Sequence, residues 1–203
     1  MKRVVLSAVA LSAAVIFSSC ESSQRVTRVS ADSVTDIGGT WNDTDVRIVA
    51  DQIVAGCLAS PRIAEYSANH GGKLPVIIVG SYRNKSDEHL DTEIITKKLE
   101  AALVNSGKVE FVASSSERDE VRNERNDQQS NSSEDTAKSL GNETGADFIL
   151  QGSVKTIVDT DGKIIRRTYY VTTELINIET NKKIWMDDNS SIKKIIKSSS
   201  VRM

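Results

Sequence analysis

The sequence predicts an α/β domain in which a mixed parallel and antiparallel sheet is packed by helices. Three observations carry that expectation. Leu74 to Val79 is a continuous apolar run with β-branched residues, set between two helical patterns, as in a strand covered on both faces. Asp161-Gly162 divides two long strand-like runs in the way a hairpin turn does. Glu179-Thr180-Asn181 then supplies a second turn before another short run, so the chain closes in an antiparallel meander.

The N-terminus reads as an export signal over residues 1–19. Met1-Lys2-Arg3 brings positive charge to an apolar stretch from Val4 to Phe17, and Ser18-Ser19 leads small residues up to Cys20. The stretch is shorter than the ~20 residues a membrane-spanning helix requires. A cysteine directly after small residues resembles the bacterial lipobox, with Phe17 standing where that motif usually has leucine. The resemblance implies cleavage before Cys20 and acylation there; at ~0.8 kcal/mol per buried methylene, more than one acyl chain anchors a protein durably. Similarity to enteric lipoproteins adds that Glu21, not being aspartate, directs the anchor to the outer membrane.

Composition narrows the function classes. The chain holds 26 basic and 28 acidic side chains, and the signal removes Lys2 and Arg3 but no acid, so the mature charge is about −4. A mildly acidic chain lacks the footprint of a nucleic-acid binder. At 38% hydrophobic residues, the length after the signal suits one domain. With Cys20 lipidated, Cys57 has no disulfide partner; among Ile53, Val54 and Leu58 it reads as a small buried hydrophobe. His70 and His89 are too isolated for a zinc site, and no cofactor motif is present.

Residues 20–43 form the lipidated cysteine and a flexible tether, since Ser, Thr, Arg, Asp and Gly follow there without helical or strand period. The domain is expected over 44–203. Its first helix starts near Asn42 to Asp45, with Asp43 or Thr44 as cap, places Val46, Val49, Ile53, Val54 and Cys57 on one face, and exits at Pro61. Ser81 to Asp91 reads as a polar loop. Asp91 or Thr92 caps the next helix, Gly107 ends it, and Val109 to Ala113 completes a βαβ unit. Ser114 to Thr136, with Val121 as its only large apolar residue, is a solvated helix followed by a mobile loop; a short helix around Thr136 to Leu140 comes next. Phe148 to Val158, Ile164 to Ile178 and Lys183 to Met186 are strands, and Ile192, Ile195 and Ile196 add an edge strand or a packed tail.

Several segments in this order resemble the LpoB family of penicillin-binding-protein activators. They are Trp41-Asn42-Asp43-Thr44-Asp45; Pro75-Val76-Ile77-Ile78-Val79-Gly80 running into Arg83-Asn84-Lys85-Ser86-Asp87-Glu88-His89-Leu90-Asp91-Thr92; Ser106-Gly107-Lys108-Val109-Glu110-Phe111-Val112; Glu143-Thr144-Gly145-Ala146-Asp147-Phe148; and later Glu174 to Thr180 with Ile184-Trp185. The resemblance covers roughly Gly39 to Lys197. It implies a fold like the N-terminal domain of TolB and a periplasmic lipoprotein that docks on a bifunctional penicillin-binding protein and stimulates peptidoglycan synthesis without catalysing a step. Its partners are then that enzyme and, through the lipid, a membrane, with no nucleic acid and no small-molecule substrate. This chain departs from the family's better-known members in its tether, which is short and has no proline-rich spacer.

The loop from Arg83 to Asp91 is the candidate partner-binding segment, through Arg83, Asn84, Ser86, Glu88, His89 and Asp91. It follows a buried strand at the end where α/β folds expose binding loops, and it offers both charge signs. The same residues admit a structural reading in which Asp91 caps a helix, Ser86 closes a turn and Arg83 pairs with Glu88. Two rival uses of the fold stay open here: an envelope lipoprotein of the curli-secretion type, and a structural periplasmic binding module. A pore needs ~10-residue strands that alternate apolar and polar faces, and Lys155, Asp159, Lys163, Arg166 and Arg167 interrupt that pattern. An envelope hydrolase needs a positioned acid, base or nucleophile, and neither Gly-x-Ser-x-Gly nor a Cys/His pairing is present.

Lipidation is tested by Cys20→Ala. The wild type should fractionate with membranes and carry acyl mass at Cys20, whereas the variant should be released or stall uncleaved; mature wild-type protein without acyl mass would contradict the expectation.

Overall fold

A computed structural model describes residues 26–133, 135, 136, 138 and 143–197. The signal, Cys20 and most of the short helix expected near Thr136 to Leu140 lie outside the described residues. The chain forms two units, Met1–Ser33 and Val34–Met203. In the first, the described stretch 26–33 contains a turn in which the Ser33 amide donates to the Ser30 carbonyl at 3.0 Å.

The second unit begins with a short arm, residues 34–42. It continues through α1 (Asp43–Leu58), α2 (Pro61–Asn69), β1 (Val76–Lys85), α3 (Thr92–Asn105), β2 (Glu110–Phe111), α4 (Ser115–Asn131), β3 (Phe148–Asp161), β4 (Ile164–Asn177), β5 (Lys183–Asn189) and β6 (Lys193–Lys197). The sheet order is β2-β1-β3-β4-β5, with β6 also on β4. β1 runs parallel to β2 and β3, and every other pairing is antiparallel. The sheet is therefore mixed, as the sequence predicts. β4 is long enough for one edge to take β6 at Ile164 to Thr168 and then β5 at Val171 to Ile176.

Helices α1 and α3 pack on one face of this sheet. Val49, Ile53 and Cys57 of α1 meet Ile95, Leu99 and Leu103 of α3 over Ile77, Leu150, Val154, Val171 and Leu175, all fully buried. The helical spacing of the first two sets makes those faces, and each such side chain contributes about 1.5–3 kcal/mol by leaving water.

The structure corrects several expectations. The cap of α1 is Asn42, not Asp43 or Thr44: its extended backbone lets the side chain accept from the Asp45 amide at 3.2 Å, while the Asp45 carboxylate accepts from the Asn42 amide at 2.9 Å. Pro61 does not end a helical region. It opens α2, where its fixed φ suits a first turn and Ser60 supplies the cap. The strand expected to stop at Val79 continues to Lys85, so the loop shrinks to residues 86–91. Helices cover β1 on one face and not on both, and Ile78, on the other, is half-exposed. The second strand is two residues long rather than five. The hairpin turn is Gly162-Lys163, since Asp161 still pairs with Ile164. The α3 cap at Asp91, the left-handed Gly107 at φ 63 and the solvated α4 all stand where the sequence puts them. Of the two options for Ile195 and Ile196, the edge strand is the one formed.

Burial pushes the Cys57 thiol up from 9.0 to about 12. A raised pKa means that the folded state favours the protonated thiol, so this contribution is fully present below pH 9 and is lost as pH rises towards 12. Cys57→Ala should cost about 1–2 kcal/mol at pH 7 and flatten the alkaline decline seen in urea denaturation between pH 8 and 11. Rapid native labelling of Cys57 by a thiol reagent would contradict this burial.

Candidate functional site

The end of the sheet near the start of α3 is shaped by a bulge in β1. Val79 pairs with Leu150 and Tyr82 with Gly152, so β1 spends one residue more than β3 over the same span. An extra residue flips the alternation of side chains. Tyr82 thereby returns to the core, where its hydroxyl meets that of Thr173 at 2.8 Å, and burial holds its pKa above the ordinary tyrosine range. The ring lies over Gly152, where a Cβ would stand 2.6 Å from it. Arg83 and Lys85 fall on the open face beside Ser153 and Lys155.

Beyond β1 the loop is tied inward. Asn84 accepts from the Ser86 amide at 3.0 Å and hydroxyl at 2.6 Å, and donates to the Glu88 carbonyl at 2.7 Å. Asp87 accepts from Thr156 at 2.6 Å, and that hydroxyl with Arg167 keeps its carboxyl below the usual range. Asp91 caps the Glu93 amide at 3.0 Å, and Thr92 donates to the Tyr82 carbonyl at 2.6 Å.

Glu88 is the centre. Its side chain is 11% exposed and its ion-pair partner, Arg167 of β4, 15%. The carboxylate also accepts from the Tyr169 hydroxyl at 2.8 Å and from the Trp41 backbone amide at 3.0 Å. Trp41 and Tyr169 meet edge to face with centroids 5.0 Å apart. Burial, and then the Glu88 carboxylate, holds Tyr169 protonated well above its ordinary range, so it stays a donor. Burying an ion pair costs several kcal/mol per ion unless further hydrogen bonds offset it; Glu88 has two such bonds.

A second clasp lies beside the first. Lys194 of β6, 8% exposed, reaches Asp45 at 2.7 Å, Asp36 at 2.9 Å and the Thr40 carbonyl at 2.8 Å. Burial works against its charge, yet Asp45 and Asp36 together hold its pKa above the ordinary lysine range. Asn42 adds a 2.6 Å bond to Asp36. The arm is thus fastened at Asp36, Thr40 and Trp41, residues that the sequence places in the tether.

Three of the expected site residues serve the fold directly: Asn84, Ser86 and Asp91 hold the loop and the start of α3. Glu88 does so more strongly, and its partner is Arg167, not Arg83 as the structural reading of the loop had it. Long-range pairing with a β4 residue has no local sequence signal. Arg83 and His89 are exposed and make no ion pair among the described residues. Arg167, Tyr169, Lys194 and Asp36 were missed. The one usable signal was the length of the strand-like run containing Arg166-Arg167, which puts charge next to a core tyrosine. Among the described residues no group of His, Cys, Asp and Glu is placed to hold a metal.

The family model for the peptidoglycan-synthase activator LpoB matches residues 45–191. The chain belongs to the LpoB family. Among solved structures, the LpoB C-terminal domain from Salmonella enterica is 17% identical, with 75% of this chain and 96% of that chain covered and a TM-score of 0.36. The LpoB C-terminal domain from Escherichia coli is 22% identical over 56% and 79% of the two chains, at a TM-score of 0.36. Lipoprotein GNA1162 from Neisseria meningitidis is 14% identical over 62% and 88%, at 0.39. No curated protein sequence matches the chain.

LpoB-like segments that are far apart in sequence are joined at the two ends of β1. Trp41 to Asp45 contacts the Arg83–Thr92 segment through the Trp41 amide on Glu88, and Asp147 of the Glu143–Phe148 segment accepts from the Val76 amide at 2.8 Å. The LpoB-like loop should therefore split in behaviour. Glu88→Ala should cost about 2–4 kcal/mol, because it leaves the Trp41 amide and the Tyr169 hydroxyl without their acceptor and Arg167 with the more exposed Asp87 alone, whereas Arg83→Ala should stay within about 0.5 kcal/mol of wild type. Urea denaturation of both variants checks this, and equal losses would contradict it.

Proposed function

We infer that this chain is a periplasmic activator that docks on a bifunctional penicillin-binding protein and stimulates peptidoglycan synthesis, itself making no bond. The single observation that carries the reading is the match of the peptidoglycan-synthase activator family to residues 45–191. The export signal and the lipobox-like Cys20 support a lipid anchor, and Glu21 supports the outer membrane. Among the described residues no helix is long and apolar enough to cross a membrane.

The folded part starts earlier than residue 44 in this reading, because Asp36, Thr40 and Trp41 are fastened to it. About 14 residues then separate Cys20 from Val34, a reach of roughly 50 Å when fully extended. The partner's docking module must come within that distance of the anchoring membrane. The mixed sheet with helices on one face supports the finer likeness to the TolB N-terminal domain. In the segment from Arg83 to Asp91, Arg83 and His89 are the side chains offered to the partner, while Asn84, Ser86, Glu88 and Asp91 act through the shape they impose.

Activation by a protein without chemistry of its own is a population shift: it binds one conformation of the enzyme more tightly, and only that difference moves the equilibrium. Couplings of about 1–3 kcal/mol are typical. The mature chain with Cys20→Ala should raise the glycan-polymerising rate of the cognate synthase by about five- to a hundred-fold, and should have no action on lipid-linked precursor alone. Absence of both binding and stimulation with every bifunctional synthase of the source organism would overturn the reading.

A further inference from the structure

The face of the sheet opposite α1 and α3 carries no extensively packed helix among the described residues; the start of α4 borders it near Ile78, Gly80, Ser81 and Ile149. On that face stand Arg83 and Lys85 of β1 and Lys155 of β3, all exposed. The strand register sets Lys85 directly beside Lys155. Like charges side by side on neighbouring strands are destabilising, so the fold gains nothing from this pair. Conflicts of that kind are expected where a surface serves a partner.

The acids nearest these cations are engaged elsewhere. Glu174 pairs with Lys183 at 2.6 Å, Asp159 with Arg166 at 2.5 Å, and Asp188 accepts from Thr172 at 3.1 Å. No ion pair with Arg83, Lys85 or Lys155 is formed among the described residues. The two β1 cations overlook a shallow cleft of about 150 Å³ whose floor is polar, with Gln151, Ser153, Thr172 and the Lys183-paired Glu174. Around the cations the character changes: Tyr170 stands beside Lys155, and Met186, 57% exposed, stands beside Glu174.

We propose that this uncovered sheet face is the docking surface for an acidic surface segment of the synthase, with Arg83, Lys85 and Lys155 as its charge-complementary contacts. The proposal rests on the activator reading and specifies its partner chemistry. Arginine, tyrosine and methionine together mark protein interfaces. An anionic membrane attracts a basic segment by only about 1 kcal/mol per cation, and three cations on a chain of negative net charge make a weak membrane footprint. A protein partner can instead match the cations one by one and seat apolar groups on Tyr170 and Met186.

The experiment uses the mature chain with Cys20→Ala and the purified synthase, with binding titrated at low and at moderate salt. Arg83→Glu, Lys85→Glu and Lys155→Glu combined should weaken binding and stimulation by about tenfold or more, because opposed charges become like charges. The same three positions changed to Gln should weaken binding less while leaving the thermal midpoint equal or higher, since the Lys85–Lys155 repulsion is gone; this variant separates docking from folding. Lys98→Glu, on the exposed side of α3, should bind as wild type. Added salt should weaken the wild type more than the Gln variant. Wild-type binding matched by both triple variants would overturn the face alone. Wild-type binding to no synthase would overturn the activator reading and the face with it. Retention of wild type, but not of the Glu variant, on anionic phospholipid vesicles or isolated glycan strands would reassign the face to those ligands.

Discussion

Glu88 joins three parts of the chain: the arm before α1, the loop after β1, and the long β3–β4 hairpin. It does so with a single carboxylate. One oxygen takes the Arg167 guanidinium and the Tyr169 hydroxyl, and the other takes the backbone amide of Trp41. The carboxylate is mostly buried, so its hydrogen bonds act in a medium where an unpaired partner is costly. Loss of the carboxylate would leave the Trp41 amide and the Tyr169 hydroxyl without their acceptor. The edge-to-face contact of Trp41 with Tyr169 seats the arm over the same point. Lys194 repeats the device a short distance off, with Asp45 and Asp36 as its anions. The arm that precedes α1 is therefore clasped to the hairpin and to the last strand.

The bulge in β1 gives the sheet its division of labour. Without the extra residue between Val79 and Tyr82, the tyrosine would turn outward and Arg83 would face the core. With it, the helix-covered face keeps an unbroken apolar and aromatic line, and the opposite face collects cations and hydroxyls. That opposite face is where the fold spends charge without internal reward. The Glu88 cluster and the bare face thus have different roles despite being neighbours in sequence: Glu88 and Asp87 hold the structure, and Arg83 and Lys85 are offered to solvent.

Elements whose pattern is local were legible in the sequence. The apolar spacing of α1 and α3, the cap at Asp91, the stop at Gly107 and the meander after Phe148 all depend on residues within a few positions of one another. The mixed sheet followed from them. Features that rest on pairing across the chain were not legible. A bulge changes side-chain parity without changing composition, so Ser81 to Lys85 looked like loop because polar residues broke the apolar run. Glu88 could be seen as a charged loop residue, but its partner Arg167 is 79 positions away. Pro61 by itself suggests a helix stop because proline interrupts helices from within; that it begins one depends on Ser60 as cap. The family-like segments were recognisable one by one, and the structure adds that two of them, Trp41 to Asp45 and Arg83 to Thr92, are joined through the Glu88 carboxylate.

The account assigns structure to the Glu88 cluster and docking to the bare sheet face, and differential lysine labelling tests that division most directly. The mature protein would be modified by an amine-reactive reagent, free and in complex with the synthase, and each lysine read by mass spectrometry. Lys85 and Lys155 should lose most of their reactivity in the complex, Lys98 on α3 should keep its own, and the buried Lys194 should react slowly in both states. Unchanged labelling of Lys85 and Lys155 with protection at Lys98 would place the partner on the helical side and contradict the account.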